Sequence, residues 1–429
     1  MQRTLTSQLA RVRPGETVQV EGWIHRRRTL AAVTFVIVRD RTGLAQVVVK
    51  DPEAISQVGG LGEETVVSVM ATVVVNPSAP GGVELVAPTF RALSEPAQTP
   101  PVELWRPSMG VGLPTLLDNA PVTLRHPRSQ AIWRVASASM QGFRRTLVQE
   151  GFTEIQTPKI VGTSTESGAN LFTVDYFGRR AFLAQSPQLY KQTLVGVFER
   201  VFEVGPVFRA EPHDTVRHIA EYVSLDAELG FIEDHRDVLV VLRNALTGML
   251  EAVQELAPGA VELLGVALPQ VPETIPVIHF SEALRLLGAP DDEPDLAPAH
   301  ERALSDWAVQ EHGSEFLAVE GYPMRKRPFY THPQPDDPRW SNSFDLLFRG
   351  LELTTGGQRL HRYSDYQAAL AAAGQDEEAY AGYLQAFRHG MPPHGGFAIG
   401  LERWVARLTG VENIREARLF PRDINRLTP

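Results

Sequence analysis

The chain has 429 residues, 43% hydrophobic and 21% charged, with a formal net charge of −10. That length predicts two or three domains with ordinary cores, and the acidic balance argues against coating nucleic acid through bulk charge. The lack of cysteine excludes disulfides and thiolate zinc sites. No apolar run reaches the roughly 18 residues of a membrane span, and Met1-Gln2-Arg3-Thr4 opens no signal-peptide core, so a cytoplasmic protein is expected.

Residues 1–90 read as short strands. Thr17–Ile24, Val33–Arg39, Leu44–Val49, Val66–Val75 and Val83–Val86 are β-branched and mostly alternating, and Asp40-Arg41-Thr42-Gly43 supplies a hairpin turn. Five such strands predict a small barrel, and the OB-fold is the commonest such barrel that binds nucleic acid. Arg26-Arg27-Arg28 reads as a local basic patch or as a solvated loop, and taken alone the loop is the better reading. Residues 91–127 carry seven prolines, from Pro96 to Pro127, which interrupt regular elements and predict a hinge. From Arg128 a helix is expected, with Ile132, Val135, Met140, Phe143 and Leu147 near one face and Gly151 as its C-terminal glycine. Strands and helices then alternate through 128–429. Asp237–Leu256 and Glu301–Glu311 read as helices within a helical insertion at about 235–320.

Four stretches carry candidate chemistry. In Arg200–Glu211 and the loop after it, Arg209, Glu211, Arg217 and His218 leave a strand ahead of Tyr222–Gly230. Two arginines so placed suit the phosphates of a triphosphate, but a surface lattice with Glu211 and Glu221 fits the pattern equally. In Ser343–Arg359, Asp345 and Glu352 are carboxylates in apolar strand sequence, with Gly350 bending the chain between them and Thr355 adding an oxygen. Buried carboxylates need a partner, so Mg²⁺ is the first reading and pairing with Arg349 or Arg359 the alternative. Gly395–Arg403 is a glycine-rich strand running into a helix whose first turn carries Arg403, a combination that favours an anion and lets a ligand approach the backbone. Gln185-Ser-Pro-Gln188-Leu-Tyr-Lys191 says little by itself.

Together these stretches resemble, in order, the three signature motifs of class II aminoacyl-tRNA synthetases. Motif 1 is the long helix with Gly151–Pro158, motif 2 is Phe208-Arg-Ala-Glu211 with its loop, and motif 3 is Gly400-Leu-Glu-Arg403. The N-terminal barrel and the Gln-Ser-Pro-Gln-Leu-Tyr-Lys run are similar to the aspartyl branch of archaeal type. The resemblance covers nearly the whole chain and implies an α+β protein: an OB-fold anticodon domain, a hinge, and a catalytic domain on an antiparallel sheet flanked by helices.

The resemblance also implies roles. Arg209 and Arg403 are the catalytic cations at the ATP α-phosphate, and Arg209 also meets the aspartate carboxylate. Glu211, Arg217, His218, Tyr222, Glu352 and Gly400 complete the ATP site, with Tyr222 stacking on adenine opposite Arg403. Glu352, Asp345 and Thr355 match the Mg²⁺ ligands, Thr355 replacing the serine of many relatives. Glu166 lies on a loop that closes over aspartate. Lys191 and Arg359, with Gln188 beside them, hold the aspartate side chain. Two cations around one carboxylate favour aspartate over asparagine, because a neutral amide leaves buried charge unpaired.

In the barrel, Phe35, Gln46 and Glu84 match the positions that stack on and hydrogen-bond the central anticodon uridine, although Phe35 also fits a plain core residue. His25 and Pro80 stand where enzymes relaxed toward asparagine tRNA differ from discriminating ones, with Pro77 competing for the Pro80 alignment. The expected activity is therefore ATP-dependent aspartylation of tRNA(Asp) and of tRNA(Asn), in a homodimer with Pro158 near its two-fold axis. A tRNA-dependent amidotransferase would then act on the aspartyl-tRNA(Asn). A strictly tRNA(Asp)-specific enzyme and an asparaginyl enzyme are the alternatives.

Overall fold

The computed structural model describes residues 2–163 and 170–429. It divides into two compact units, Met1–Pro127 and Arg128–Pro429.

In the first unit, β1 (Thr17–Leu30), β2 (Val33–Asp40), β3 (Gly43–Val49), β4 (Val66–Val75) and β5 (Val83–Ala92) close into a barrel in the order β1-β2-β3-β5-β4. Alternation puts Val18, Val20, Val36, Val38, Val47, Val67 and Val69 inside, with Leu85 and Phe90 completing the core. Helix α1 (Pro52–Gly59) is capped by the Asp51 carboxylate and lies between β3 and β4 in the chain. Two strands run further than the alternation predicts. β1 continues through Arg26-Arg27-Arg28, so the triplet is strand and not loop. Arg27 Nη1 donates to the carbonyls of Val58 at 2.6 Å and of Gly59 and Leu61 at 2.8 Å, where a cation complements the C-terminal end of α1. Arg26 stacks 3.7 Å from the Trp105 ring centre. β5 passes Ala87, whose φ is 49°, beside a bulge between Met70 and Thr72, and therefore ends at Ala92. After the barrel come only two short helices, α2 (Leu113–Asp118) and α3 (Ala120–Thr123).

The second unit opens with α4 (Pro127–Gln149), and Gly151 follows it at φ 83°. Its main sheet has eight strands in the order β12-β13-β14-β15-β16-β11-β10-β6. These are β6 (Thr153–Glu154), β10 (Arg200–Phe208), β11 (Glu221–Gly230), β12 (Val277–His279), β13 (Phe316–Glu320), β14 (Ser343–Phe348), β15 (Leu351–Gln358) and β16 (His394–Gly400). Six of the strands pair antiparallel, and parallel β6 and β12 at the two edges make the sheet mixed. A small sheet holds β7 (Ile160–Val161), β8 (Thr173–Tyr176) and β9 (Arg179–Leu183).

The remaining helices are α5 (Gln188–Phe198), α6 (His235–Leu256), α7 (Pro258–Leu264), α8 (Phe280–Leu287), α9 (Pro298–His312), α10 (Tyr363–Ala372), α11 (Ala381–Arg388) and α12 (Leu401–Thr409). Residues of α4, α6 and α12 pack with the sheet around Phe143, Phe202, Met249, Phe397 and Trp404. Among the described residues no helix is long and apolar enough to cross a membrane.

Candidate active site

The strands β10, β11, β16 and β15 lie side by side and form the floor of a cavity of about 410 Å³. Twelve of the predicted residues line it: Gln188, Lys191, Arg209, Glu211, Arg217, His218, Tyr222, Glu352, Thr355, Arg359, Gly400 and Arg403. Residues far apart in the chain meet because β11 pairs with β16 in the register Ser224 to Gly400, while Val207 of β10 faces Tyr222 of β11. Glu166 lies outside the described residues.

One end of the cavity is polar and partly open. Arg209 follows β10, its N–H donating to Ala220 O at 2.9 Å and its guanidinium lying 5.7 Å from the Tyr222 ring centre. Arg403 projects from the first turn of α12, donates to Glu352 O at 3.1 Å, and stands 3.7 Å from the Glu352 carboxylate. At Gly400 an added Cβ would lie about 4 Å from Arg403 and Tyr222, so the strand end leaves room between them. Arg217 donates to Glu301 of α9 at 3.2 Å. Glu301 was not among the predicted site residues; burial and the neighbouring Glu352 carboxylate push its carboxyl above the usual range, against Arg217. His218 takes part in a 2.7 Å bond with the Thr215 hydroxyl, and burial, then Arg403, lower its pKa.

The carboxylates of β14 and β15 are arranged differently from expectation. Arg349 and Gly350, both at positive φ, make the tight turn of a hairpin, so Gly350 reverses the chain instead of bending one strand. Glu352 faces the cavity with the Thr355 hydroxyl 3.4 Å away. Asp345 is buried and accepts from Arg327 at 3.1 Å, a pairing the sequence did not suggest; Arg349 pairs instead with Glu315. Burial pushes Asp345 up to about 6, opposed by Arg327 and reinforced by Glu352. Arg327 itself lines the cavity with Tyr322 4.2 Å beneath it. Among the described residues no three His, Cys, Asp or Glu side chains group as a metal site. Two oxygens, from Glu352 and Thr355, do face the cavity together, which fits Mg²⁺ because that ion takes few protein ligands and keeps waters and phosphates.

At the other end the cations are buried. Lys191 is 1% exposed, and its ammonium donates to Asp226 at 3.0 Å and Phe397 O at 3.3 Å, with Glu228 at 3.3 Å. Arg359 donates from Nε to Glu228 at 2.9 Å and from Nη2 to Gly396 O at 3.0 Å. Burial pushes the Glu228 carboxyl up, but Arg359 and Lys191 outweigh it and hold it below the usual range. This corrects the picture of two cations awaiting one ligand carboxylate: Asp226 and Glu228 already balance both charges. The strand Tyr222–Gly230 was noticed, yet its two acids were not recognised as countercharges. Arg359 keeps donor capacity for a ligand, since its Nη1 donates to no protein atom among the described residues.

The glycines of β16 serve this pairing. A Cβ at Gly396 would lie 2.1 Å from both Ala227 O and a Glu228 carboxylate oxygen. The close approach expected of a ligand is therefore made by a residue of the protein.

In the barrel, Phe35 is half-buried on the face opposite core residues Val36 and Val38, so it is not core. Gln46 stands opposite Ile37 and donates to Glu84 at 3.0 Å, and Asn76 donates to Glu84 at 2.7 Å. Phe35, Gln46 and Glu84 thus share one outer surface. His25 occupies a bulge between Ile24 and Arg26 and is buried. Its Nδ1 is 2.8 Å from Arg39 Nη1, and Arg39 makes a two-pronged pair with Glu64 at 2.9 and 2.8 Å. Arginine can only donate, so Nδ1 accepts and the proton sits on Nε2. Burial and then Arg39 lower the pKa to about 4, so the ring is neutral. Pro80 begins a 3-10 turn, Pro80–Gly82, between β4 and β5. Pro158 lies between β6 and β7.

Residues 113–424 match the family model of class II tRNA synthetases (D, K and N), and residues 18–93 match that of the OB-fold nucleic acid binding domain. The aspartate--tRNA(Asp/Asn) ligase of Thermus thermophilus is 47% identical, with 97% of each chain covered. The enzyme of the same name from Deinococcus radiodurans is 45% identical over 100% of this chain and 99% of that one. Among solved structures, asparaginyl-tRNA synthetase from Pyrococcus horikoshii, complexed with asparaginyl-adenylate, superposes with TM-score 0.89 at 30% identity over 97% of each chain. Aspartyl tRNA synthetase from Entamoeba histolytica gives TM-score 0.87 at 28% identity, covering 100% of this chain and 93% of that one. With its barrel, its eight-stranded sheet, and motifs 2 and 3 meeting at one cavity, the chain belongs to the class II aminoacyl-tRNA synthetases of the aspartate, lysine and asparagine group.

Proposed function

We propose that this synthetase activates L-aspartate with ATP and transfers it to tRNA(Asp) and tRNA(Asn). The observation that carries the reading is one cavity with an open arginine-rich end and a buried end built on Lys191 and Arg359. ATP occupies the open end, its adenine against Tyr222 and its phosphates toward Arg209, Arg217 and Arg403. Aspartate occupies the buried end, with its side-chain carboxylate on Arg359. Lys191 acts there by holding Asp226 and Glu228 in place. The aspartate α-carboxylate attacks the α-phosphorus in line, a new carboxylate–phosphorus bond forms, and the bond to the departing pyrophosphate breaks. Arg209 and Arg403 stabilise the charge that builds on the α-phosphate oxygens. Glu352 and Thr355, with Asp345 behind them, would hold Mg²⁺, which would neutralise further phosphate charge. The terminal tRNA hydroxyl then takes the acyl group and AMP leaves. Positioning and electrostatics account for both steps without a side-chain general base.

The relaxed tRNA choice rests on the barrel and on the names of the relatives. A neutral His25 with its proton on Nε2 offers one donor, and cytosine and uracil share the O2 acceptor at the third anticodon position. Such a donor serves both bases. A cytoplasmic homodimer, with Pro158 near the two-fold axis, and an amidotransferase acting on the aspartyl-tRNA(Asn) complete the proposal. Pyrophosphate exchange with aspartate and with asparagine tests the amino acid, and exchange driven by asparagine alone overturns it. Charging both tRNA transcripts with aspartate tests the second part. A rate on tRNA(Asn) several hundred-fold below that on tRNA(Asp) defeats it, and light scattering checks the dimer.

A further inference from the structure

Beneath the amino-acid end lies a buried polar network outside the three motifs. Gln188 and Gln192 sit one turn apart on α5, with Tyr366 from α10, Tyr383 from α11 and His394 from β16, and all five are buried. Gln188 Nε2 donates to Gln192 Oε1 at 3.0 Å. Gln192 Nε2 lies 3.1 Å from both Tyr366 Oη and His394 Nε2. Tyr383 Oη lies 3.1 Å from Gln192 Oε1 and 2.8 Å from Tyr366 Oη.

Proton directions in this network follow from two backbone carbonyls, which can only accept. Pro392 O is 2.9 Å from His394 Nδ1, so Nδ1 carries hydrogen and, in the neutral ring, Nε2 accepts. Burial keeps the ring neutral, lowering its pKa to about 4 against the pull of Glu228. The group facing Nε2 must then donate, so the NH₂ end of Gln192 points to His394 and its oxygen points to Gln188. That oxygen needs a donor, so Gln188 turns its own NH₂ inward. Leu360 O, 2.9 Å from Tyr366 Oη, takes the Tyr366 hydrogen, leaving the Tyr366 oxygen to accept from Gln192. Reversing any one amide sets two acceptors or two donors against each other in a buried place, where neither can turn to water.

We infer that Gln192, with His394, Tyr366 and Tyr383, is a positioning network that locks the Gln188 amide with its oxygen toward the cavity. The amino-acid end thereby presents an acceptor as well as the Arg359 guanidinium, one group for a ligand N–H and one for a ligand carboxylate. Gln188 is not a third holder of the side-chain carboxylate, which an amide oxygen repels. The inference rests on the proposed amino-acid end and adds that helices α10 and α11, which belong to none of the three motifs, set its polarity.

A double-mutant cycle on the full chain tests it. Gln192→Met keeps the volume and removes every hydrogen bond, leaving the Gln188 amide free to flip. Pyrophosphate exchange should then show an aspartate KM raised about tenfold, the worth of one to two hydrogen bonds, with the ATP KM and kcat changed little. In a Gln188→Ala background the same substitution should change the aspartate KM by less than about twofold, because the group it positions is gone. Equal effects in both backgrounds, or an ATP KM that moves in step, would mean a general structural role and overturn the inference. Tyr383→Phe deletes one hydroxyl at constant shape and serves if Gln192→Met does not fold; it should raise the aspartate KM about two- to threefold, again only with Gln188 present. If exchange proves to depend on asparagine, the substrate reading fails, and the same cycle run with asparagine still decides the network.

Discussion

At the phosphate end of the cavity, Arg403 has a side chain 29% exposed and stands 3.7 Å from its nearest carboxylate. At the amino-acid end, Lys191 and Arg359 are buried and tied to Asp226 and Glu228 at 2.9–3.3 Å. The first arrangement suits a large polyanion that must enter, react and leave as two pieces. Arg403 keeps solvation and only a loose ion pair, and Arg217 is held by the single carboxylate of Glu301. The second suits reading a small ligand: charges are cancelled in advance, so the ligand meets fixed dipoles instead of a mobile ion. A substitution at the open end should therefore cost catalysis alone, whereas one at the buried end should cost stability as well.

Lys191→Met should give the largest effect. It leaves Asp226 and Glu228 buried with one cation between them, and breaking a buried pair in this way costs about 3–5 kcal/mol. Urea unfolding of the variant should show that loss, together with loss of aspartate-dependent exchange. A stability within about 1 kcal/mol of the parent would mean the quartet relaxes easily and the contrast between the ends is false.

Arg403→Ala is the counterpart at the open end. If Arg403 faces the α-phosphate as proposed, removing it should slow exchange by about 10²- to 10³-fold. The thermal midpoint should stay within about 2 °C, as for a partly exposed side chain. A large fall in the midpoint would place Arg403 with the buried group.

What the sequence made legible follows the same division. Arg209, Glu211, Arg217 and Arg403 stand in compact motifs, which the resemblance, more than their spacing, marked as an anion site, and the fold places all four along one cavity. The barrel was legible through the alternation of Val18, Val20, Val36 and Val38. Countercharges were not, because pairing is non-local: Arg359 meets Glu228 across 131 positions and Lys191 meets Phe397 O across 206. A strand reading Leu-Asp-Ala-Glu-Leu gives no sign of which cation each acid faces until its sheet neighbours are known. Arg327 and Glu301 were missed for the same reason. His25 was placed by resemblance, but the bulge that buries it and turns it to Arg39 leaves no mark in a β-branched strand.

Glu301→Gln sharpens the open end. Glu301 holds Arg217 at 3.2 Å, and its own carboxyl is pushed up by burial and by Glu352. Without that charge Arg217 is free to turn to the phosphates, so the ATP KM should fall about two- to fivefold, the worth of a partly exposed ion pair. The aspartate KM should not change. A rise in the ATP KM would show that Glu301 presents Arg217 to the nucleotide and does not withhold it.

The smallest effect concerns the barrel and tests whether a buried, pre-set donor reads the anticodon as it does the amino acid. His25 titrates near 4 in the fold and about 6.5 when unfolded. Between those values the unfolded chain binds the extra proton, so His25 makes the barrel lose stability as pH falls from 6.5 toward 4, by up to about 1.4 kcal/mol per pH unit. Through neutral pH the ring keeps one protonation state, and its donor is unchanged. The ratio of tRNA(Asn) to tRNA(Asp) charging should accordingly stay flat from about pH 6 to 8, even where each rate varies, because effects at the shared catalytic cavity divide out. An inflection of that ratio near 6.5 would mean that His25 is solvated and titrating, and that the Arg39 clamp does not govern which base it meets.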